Sequence, residues 1–545
     1  MLNEVKKVQA APMPPETPRP LNAETNALLV GFQGHDGRDD QPGGSVIHVN
    51  TVVSRMATWY EKLRNAIDYR DEHLLRKNAI ERILKRRLAL GRRTTLAKHL
   101  IRELIQARYL QNDRIPERHV QAVQTILDRY LSLIDALPPG PNLADRSRMT
   151  RWFLGIASVE IEHTIVSIRR EDALTEFAYT MLSRDIVLAD ESITDQERSV
   201  QIYLAIHRSL LKSDQAILSY HLLNHYYPQW RQADAGLIQD VAQHAYQIRH
   251  AVDTHLTHPV AHDLQRRLKR FMMLFHILRD VIDVSPSAAQ ELLTRPNALR
   301  RAIIDAAQQR YLHARKRLWG RITRSVIYIL ITKTVLALLI ELPYELYFLD
   351  EVNWVALGIN IFFFPFLLLL IAVTIRIPAQ KNTERIIYGV QGLIYQERNT
   401  QLFATLQKPI RRSPLMNTGF RVFYAITFFL TFGAVIWVLR QIDFSAVSIA
   451  VFLFFLSVVS FVGLRIRIIT QELVVVSQNE GLLSVLVDFF TLPIISVGRW
   501  IAEKAPRINV IVFILDVIIE APFKIVIQFF EEWIAFMREK REEIY

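Results

Sequence analysis

Apolar positions along this chain follow two regimes that change near residue 325. Upstream they recur every three or four residues, as in Val53, Met56, Tyr60, Leu63 and Ile67, the spacing of one helix face. Downstream they become continuous, in runs at 325–349, 354–375, 420–439 and 444–464. A hydrocarbon core about 30 Å thick needs roughly 20 apolar helical residues, and all four runs reach that length. The pattern predicts an all-α, polytopic membrane protein. It would have about four transmembrane helices, a large N-terminal cytoplasmic helical domain and C-terminal amphipathic helices.

The punctuation between helical stretches divides the chain further. Residues 1–50 are rich in proline and glycine and poor in apolar side chains, which predicts a disordered tail. A basic helical region follows at 51–136, then a helical soluble domain at 143–320, with a seam at LPPGPN, 137–142. About eight to ten helices are expected across 51–320, with breaks at Gly91, Asn112–Pro116, Ala189–Thr194, Tyr227–Pro228, Pro259, Ser285–Pro286 and Pro296. Thr194 with Glu197 forms a capping box, and Ser285 before Pro286 reads as a helix entrance. No alternation typical of strands and no internal repeat is evident. The membrane region occupies 325–470, and 471–545 should hold amphipathic membrane-associated helices.

Charge sets the expected orientation. Lys and Arg mark the cytoplasmic side of short loops. Arg315, Lys316, Arg317, Arg321 and Arg324 precede the first run, whereas Asp350 and Glu351 follow it. The link between the second and third runs is again basic, from Arg376 and Lys381 to Arg412 and Arg421. This predicts both termini in the cytoplasm, two very short external turns, and residence in the cell inner (plasma) membrane. The N-terminal stretch lacks an apolar core, so no signal peptide is expected. The chain contains no cysteine, which excludes disulfides, thiol catalysis and Cys-ligated metals. No GxxxxGK[ST], GxGxxG or GxSxG motif occurs, no catalytic residue is identified, and no cofactor is expected.

Three groups of residues could carry chemistry. Arg76, Lys77, Arg82, Lys85, Arg86, Arg87, Arg92 and Arg93 form a dense basic stretch interleaved with Leu74, Leu75, Ile80, Ile83, Leu84 and Leu88. A solvated or internally paired helix face is the leading reading, a membrane surface or protein partner the next. Nucleic acid ranks last because no binding motif accompanies the charge. The histidine pairs His221/His225 and His258/His262, and the Glu160/His163 pair, have spacings that metals use. None completes a ligand set, so no metal is expected.

Ionisable residues at bilayer depth form the third group. Lys333, Glu341, Pro343 and Glu345 fall in the first run, and Asp516, Glu520 and Lys524 step by four through the C-terminal region. Such groups are costly in lipid and are by default functional or paired. Pro343 cannot donate to the Leu339 carbonyl and should kink or end the helix. The plain reading has Lys333 snorkelling inward, Glu345 at the outer interface with Asp350 and Glu351, and only Glu341 submerged. The alternative places Glu341 and Glu345 on one face, an acidic ring in an oligomer. An acidic residue beside a proline at the outer end of a pore helix resembles calcium uniporters. Their Trp-Asp-Ile-Met-Glu motif is absent, so the chain is not assigned to that family. The stretches at 481–504 and 508–540 read as interfacial or re-entrant amphipathic helices, with a fifth full span at 508–530 as the alternative.

These features favour a scaffolding or membrane-organising protein over an enzyme. Its partners would be the lipid bilayer, anionic lipid headgroups, and other proteins or further copies of the chain, with nucleic acid unlikely. An oligomeric ion channel or transporter using Glu341 is the alternative.

Overall fold

The computed structural model describes residues 17–33, 45–49, 72–89, 95–139, 143–186, 193–348, 352–375, 380–395, 414–471, 473–475 and 482–504, with Phe529, Trp533, Phe536 and Met537. Helices dominate them. Among the described residues there is no strand, only an isolated antiparallel bridge between Val46 and Pro116. Two compact units divide the chain, one built mainly from 23–186 and 190–268, the other mainly from 269–509 with the segment ending at Asn22.

The first unit contains α1 (Ala23–Gln33), α2 (Glu72–Ala89), α3 (Leu96–Gln106), α4 (Arg118–Asp135), α5 (Leu143–Ile165) and α6 (Arg169–Asp185). It continues with α7 (Asp195–Leu210), α8 (Gln215–Tyr226), α9 (Ala235–Gln243), α10 (Ala245–Leu256) and α11 (Pro259–Leu268). The hub is α5, which packs against α2, α4 and α8. Phe153, Ile156, Ala157, Val159 and Ile161 are fully buried on successive faces of its C-terminal part, as expected of a helix segment that is apolar on more than one face. Its buried Glu160 accepts hydrogen bonds from Arg129 and from the Tyr130 hydroxyl, and Trp230 Nε1 donates to that same hydroxyl at 2.8 Å. One hydrophobic core joins residues on both sides of LPPGPN, so the units divide at Leu268–Lys269 and not at that seam.

Capping chemistry starts several of these helices. Thr194 Oγ1 accepts from the Glu197 amide at 3.2 Å, Asp214 caps α8, Asp234 caps α9, and Pro259 opens α11. Ser285 departs from expectation. It ends α12 (Met272–Val284), and a turn through Pro286 separates it from α13 (Ala289–Thr294).

The expected tail is also partly structured. In the first unit α1 buries Leu28, Leu29 and Phe32 against α6, while Ile47 and Val49 enter the core. In the second unit the Asn22 side-chain amide donates to the Leu393 carbonyl at 2.7 Å. Eleven residues are too few for a stable isolated helix in water, so α1 exists through packing that local composition does not reveal. At Gly31 a Cβ would overlap Ala173 Cβ, which fixes how closely α1 can lie on α6.

The second unit holds α12, α13 and one continuous helical stretch from Pro296 to Phe348. That stretch comprises α14 (Pro296–Leu336), a π-turn (Ala337–Glu341) and α15 (Leu342–Phe348). After it come α16 (Trp354–Thr374), α17 (Gln380–Tyr395), α18 (Pro414–Arg440), α19 (Ala446–Gln471) and α20 (Leu482–Lys504). Four helices are long and apolar enough to cross a membrane, within Pro296–Phe348, Trp354–Thr374, Thr418–Arg440 and Ala446–Arg467. These match the four sequence runs and are consistent with a membrane protein.

No helix boundary falls near 320–325, where the sequence pattern changes from periodic to continuous apolar. The 53-residue stretch advances about 80 Å at 1.5 Å per residue. One stripe of Leu299, Ile303, Ala307, Ala314, Leu318, Ile322 and Ile329 is buried along it. A fifth apolar helix, α20, packs along α18 and α19. Gly498 makes this possible, since a Cβ there would overlap the Ser457 carbonyl oxygen.

Candidate functional site

The ionisable residues of the first span converge on one point among apolar helices. Lys333 and Glu341 are fully buried, and Lys333 Nζ donates to Glu341 Oε1 at 2.7 Å. Eight residues normally overshoot two helical turns, whereas seven nearly complete them. The intervening π-turn takes up about one extra residue, which returns Glu341 to the face of α14 that carries Lys333. Pro343 therefore neither ends the helix nor stands alone as a kink. The turn before it loosens, and the helix continues to Phe348.

The second span completes the cluster. Asn360 Nδ2 donates to Glu341 Oε2 at 2.5 Å, so both carboxylate oxygens are satisfied. The Lys333 ammonium lies 4.9 Å from the Phe455 ring centroid and 5.8 Å from that of Phe364, over the ring faces that favour a cation. Asn360 Oδ1 is buried without a hydrogen-bond partner among the described residues.

One turn further along, Glu345 is also buried. It accepts from the Asn353 amide and from Ser448 Oγ, each at 3.3 Å. Asn353 in turn caps α16 through the Ala356 amide and donates to the Ile442 carbonyl. This ladder of polar contacts joins the first, second and fourth spans.

Two expectations change as a result. Lys333 does not snorkel towards the Arg324 end of its helix, because Glu341 offers a carboxylate in the opposite direction. Glu345 is not an exposed interfacial group, because α19 covers it. Asn360, Asn353 and Ser448 were not singled out in the sequence, although Asn360 is a lone amide within an apolar run. Asp516, Glu520 and Lys524 lie outside the described residues, as do Arg92 and Arg93.

The basic stretch turns its charge inward. Lys77 is 2% exposed and donates to Asp214 at 2.6 Å, with Glu81 at 3.5 Å. Arg76 pairs with Glu162 at 3.1 Å, Lys85 with Glu81 at 2.5 Å, and Glu103 receives Arg86 at 2.5 Å and Arg87 at 3.6 Å. Arg82 is half-buried on the same helix. These are internal bonds of the first unit rather than a free cationic face. Burial pushes the Glu162 carboxyl up to about 7, against the pull of Arg76.

The histidines separate from their sequence pairings. His221 leaves His225 and gathers with His163 and His207. His207 and His221 lie 4.2 Å apart by ring centroid, and Tyr203 Oη is 3.3 Å from His221 Nδ1. Burial lowers His163 to about 3 and His221 to about 4, so both rings are neutral at ordinary pH. Among the described residues no three side chains are arranged to hold a metal. Glu160 points instead to Arg129, away from His163.

Comparison with protein-family models, with curated proteins and with solved structures finds no match to this chain.

Proposed function

We propose that this chain is a multi-pass, membrane-organising anchor of the cell inner membrane that docks anionic lipid headgroups and protein partners at the cytoplasmic face. One observation carries this reading. On the uninterrupted Pro296–Phe348 stretch, a band of exposed Arg315, Lys316, Arg317, Trp319 and Arg324 is followed directly by exposed Ile327, Tyr328, Ile331 and Val335. Cations followed within a turn by lipid-compatible side chains match the boundary between anionic headgroups and hydrocarbon, where each Lys or Arg contributes about 1 kcal/mol. The same basic residues support cytoplasmic termini. The amount of helix outside the spans supports a docking role, with α2 serving internally as part of that scaffold.

The test replaces Arg315, Lys316, Arg317 and Arg324 together by Gln. Wild-type protein purified from mixed bilayers should carry excess anionic lipid, and the variant should carry bulk proportions. Equal anionic enrichment in both would sink the headgroup reading. Protein docking is checked by capture from cells, where deletion of residues 51–320 should remove the partners.

A second reading, an ion or proton path through the first span, draws support from the orphan Asn360 Oδ1 beside the Lys333–Glu341 pair. An oligomeric acidic ring would need Glu341 to leave both Lys333 and Asn360. A path within one protomer needs no such departure. Flux in liposomes that disappears in Glu341→Gln supports it, and unchanged flux counts against it.

A further inference from the structure

A second site lies in the first unit, in a cleft of about 410 Å³ between α6, α7, α8 and the turn after α8. One wall is α6, which presents Asp172 and Glu176 one helical turn apart. The other wall carries Arg231, and the floor is formed by Tyr203 and His221.

The opposed charges are held apart. Arg231 Nε donates to Tyr220 Oη at 2.9 Å and its guanidinium lies 5.8 Å from the Tyr220 ring centroid. The backbone carbonyl of Arg231 accepts from Arg129. The side chain is thereby oriented, yet its terminal nitrogens make no hydrogen bond or ion pair with protein among the described residues. The carboxylates of Asp172 and Glu176 likewise have no protein partner there. Burial raises Asp172 to about 6 even though Arg231 pulls it down, so the two groups sense each other without closing into a pair. The floor adds neutral polarity, since burial keeps His221 uncharged and Tyr203 occupies its Nδ1.

We propose that this cleft binds a cationic amino acid, its carboxylate on the Arg231 guanidinium and its two ammonium groups on Asp172 and Glu176. The charges match one for one: two carboxylates and one guanidinium against two ammoniums and one carboxylate. A guanidinium fixed at Nε still offers a planar pair of donors to a carboxylate. A diamine would leave Arg231 unmatched, and a dicarboxylate would face Asp172 and Glu176 with like charge.

The experiment uses the full-length protein in detergent and measures binding of L-lysine by calorimetry. Cadaverine, which lacks the carboxylate, and glutarate, which lacks the amines, serve as comparisons. Saturable L-lysine binding is expected. Loss of one charged partner should weaken it at least about ten-fold, so Arg231→Gln, Asp172→Asn, cadaverine and glutarate should each show that drop. Asp172→Asn and Glu176→Gln are isosteric changes on α6, away from the Arg231–Tyr220 contact, and keep the test valid if Arg231→Gln disturbs Tyr220. The proposal is overturned by absence of saturable L-lysine binding, by unchanged affinity in the Asp172 and Glu176 variants, or by cadaverine binding as tightly as lysine.

Discussion

Lys333 and Glu341 can be removed singly and together, and the pattern of losses tests whether they act as one buried ion pair. Lys333→Met leaves a fully buried carboxylate with Asn360 as its remaining donor among the described residues, at 2.5 Å. Glu341→Leu leaves a buried ammonium facing Phe364 and Phe455. Cation–π attraction recovers about 2 kcal/mol of that when desolvated, less than the about 3–5 kcal/mol lost when one partner of a buried pair is deleted. The singles should therefore each destabilise by several kcal/mol. The double variant replaces both charges with apolar groups of similar volume, a change that is often neutral or stabilising by about 1–4 kcal/mol. It still strands the Asn360 amide, at about 1–3 kcal/mol.

The double variant should thus lie well above the sum of the singles, with a coupling of at least about 3 kcal/mol. Ordinary hydrogen bonds between membrane helices couple by about 0.6 kcal/mol on average and at most about 1.7. Reversible unfolding by SDS titration in mixed micelles resolves that gap. Losses that add to within about 0.5 kcal/mol would show two independent sites, and the π-turn would then have no pairing to serve.

Acidification tests the histidine cluster. His163 and His221 lie at about 3 and 4 in the folded unit against an ordinary 6.5, so the unfolded chain takes up protons first as pH falls. Their contribution to stability is complete above pH 6.5 and is lost as pH falls from 6.5 to about 4 for His221 and to about 3 for His163. Glu162 and Asp172, raised to about 7 and 6, act with the opposite sign, losing stability as pH rises through those values. The clean readout is therefore a difference: His163→Phe should flatten the acid-side loss of amide protection in α7 and α8, and an unchanged slope would refute the assignment. Lys77→Met should destabilise the first unit by about 1–3 kcal/mol through Asp214 while leaving anionic lipid enrichment unaltered, and a lipid effect would return α2 to the membrane surface. Gly498→Ala should displace α20, costing about 1–3 kcal/mol as overpacking against Ser457, seen as faster exchange in 489–501. Wild-type protection would show that the helices can separate without penalty.

What could be read in the chain depended on how local each cause is. The four spans were legible because length and continuous hydropathy suffice to specify them, and Thr194 and Pro259 were legible because caps act within one turn. The π-turn was not, because it arises where Pro343 withdraws a donor while Lys333 and Glu341 seek one face. Helix α1 was hidden by its length and by composition dominated by its neighbours, since its support comes from Ala173 on α6. The inward turn of Arg76, Lys77 and Arg86 needed the positions of Glu162, Asp214 and Glu103, which only the fold brings near. The i, i+4 spacing of His221 and His225 could not reveal His163 and His207, which the packing of α5 and α7 brings to one of them.

The polar ladder also separates the spans by role. Glu341 reaches Asn360, Glu345 reaches Asn353 and Ser448, and Asn353 reaches the Ile442 carbonyl, so the first, second and fourth spans are tied in fixed register. No charged residue of α18 enters that ladder among the described residues. Its apolar window is 17% buried, against 44% for the fourth span, and its contacts are mostly with α20, through Phe423 on Phe489 and Thr431 on the Phe490 carbonyl. Apolar packing in lipid lacks the hydrophobic drive it has in water, so α18 depends on shape fit to α20, which in turn depends on Gly498. A tightly registered set of three spans and a third span seated on α20 are thus held by different physics. The Lys333–Glu341 cycle should loosen the former and leave α18 on α20, whereas Gly498→Ala should release α18 with α20 and leave the ion pair intact.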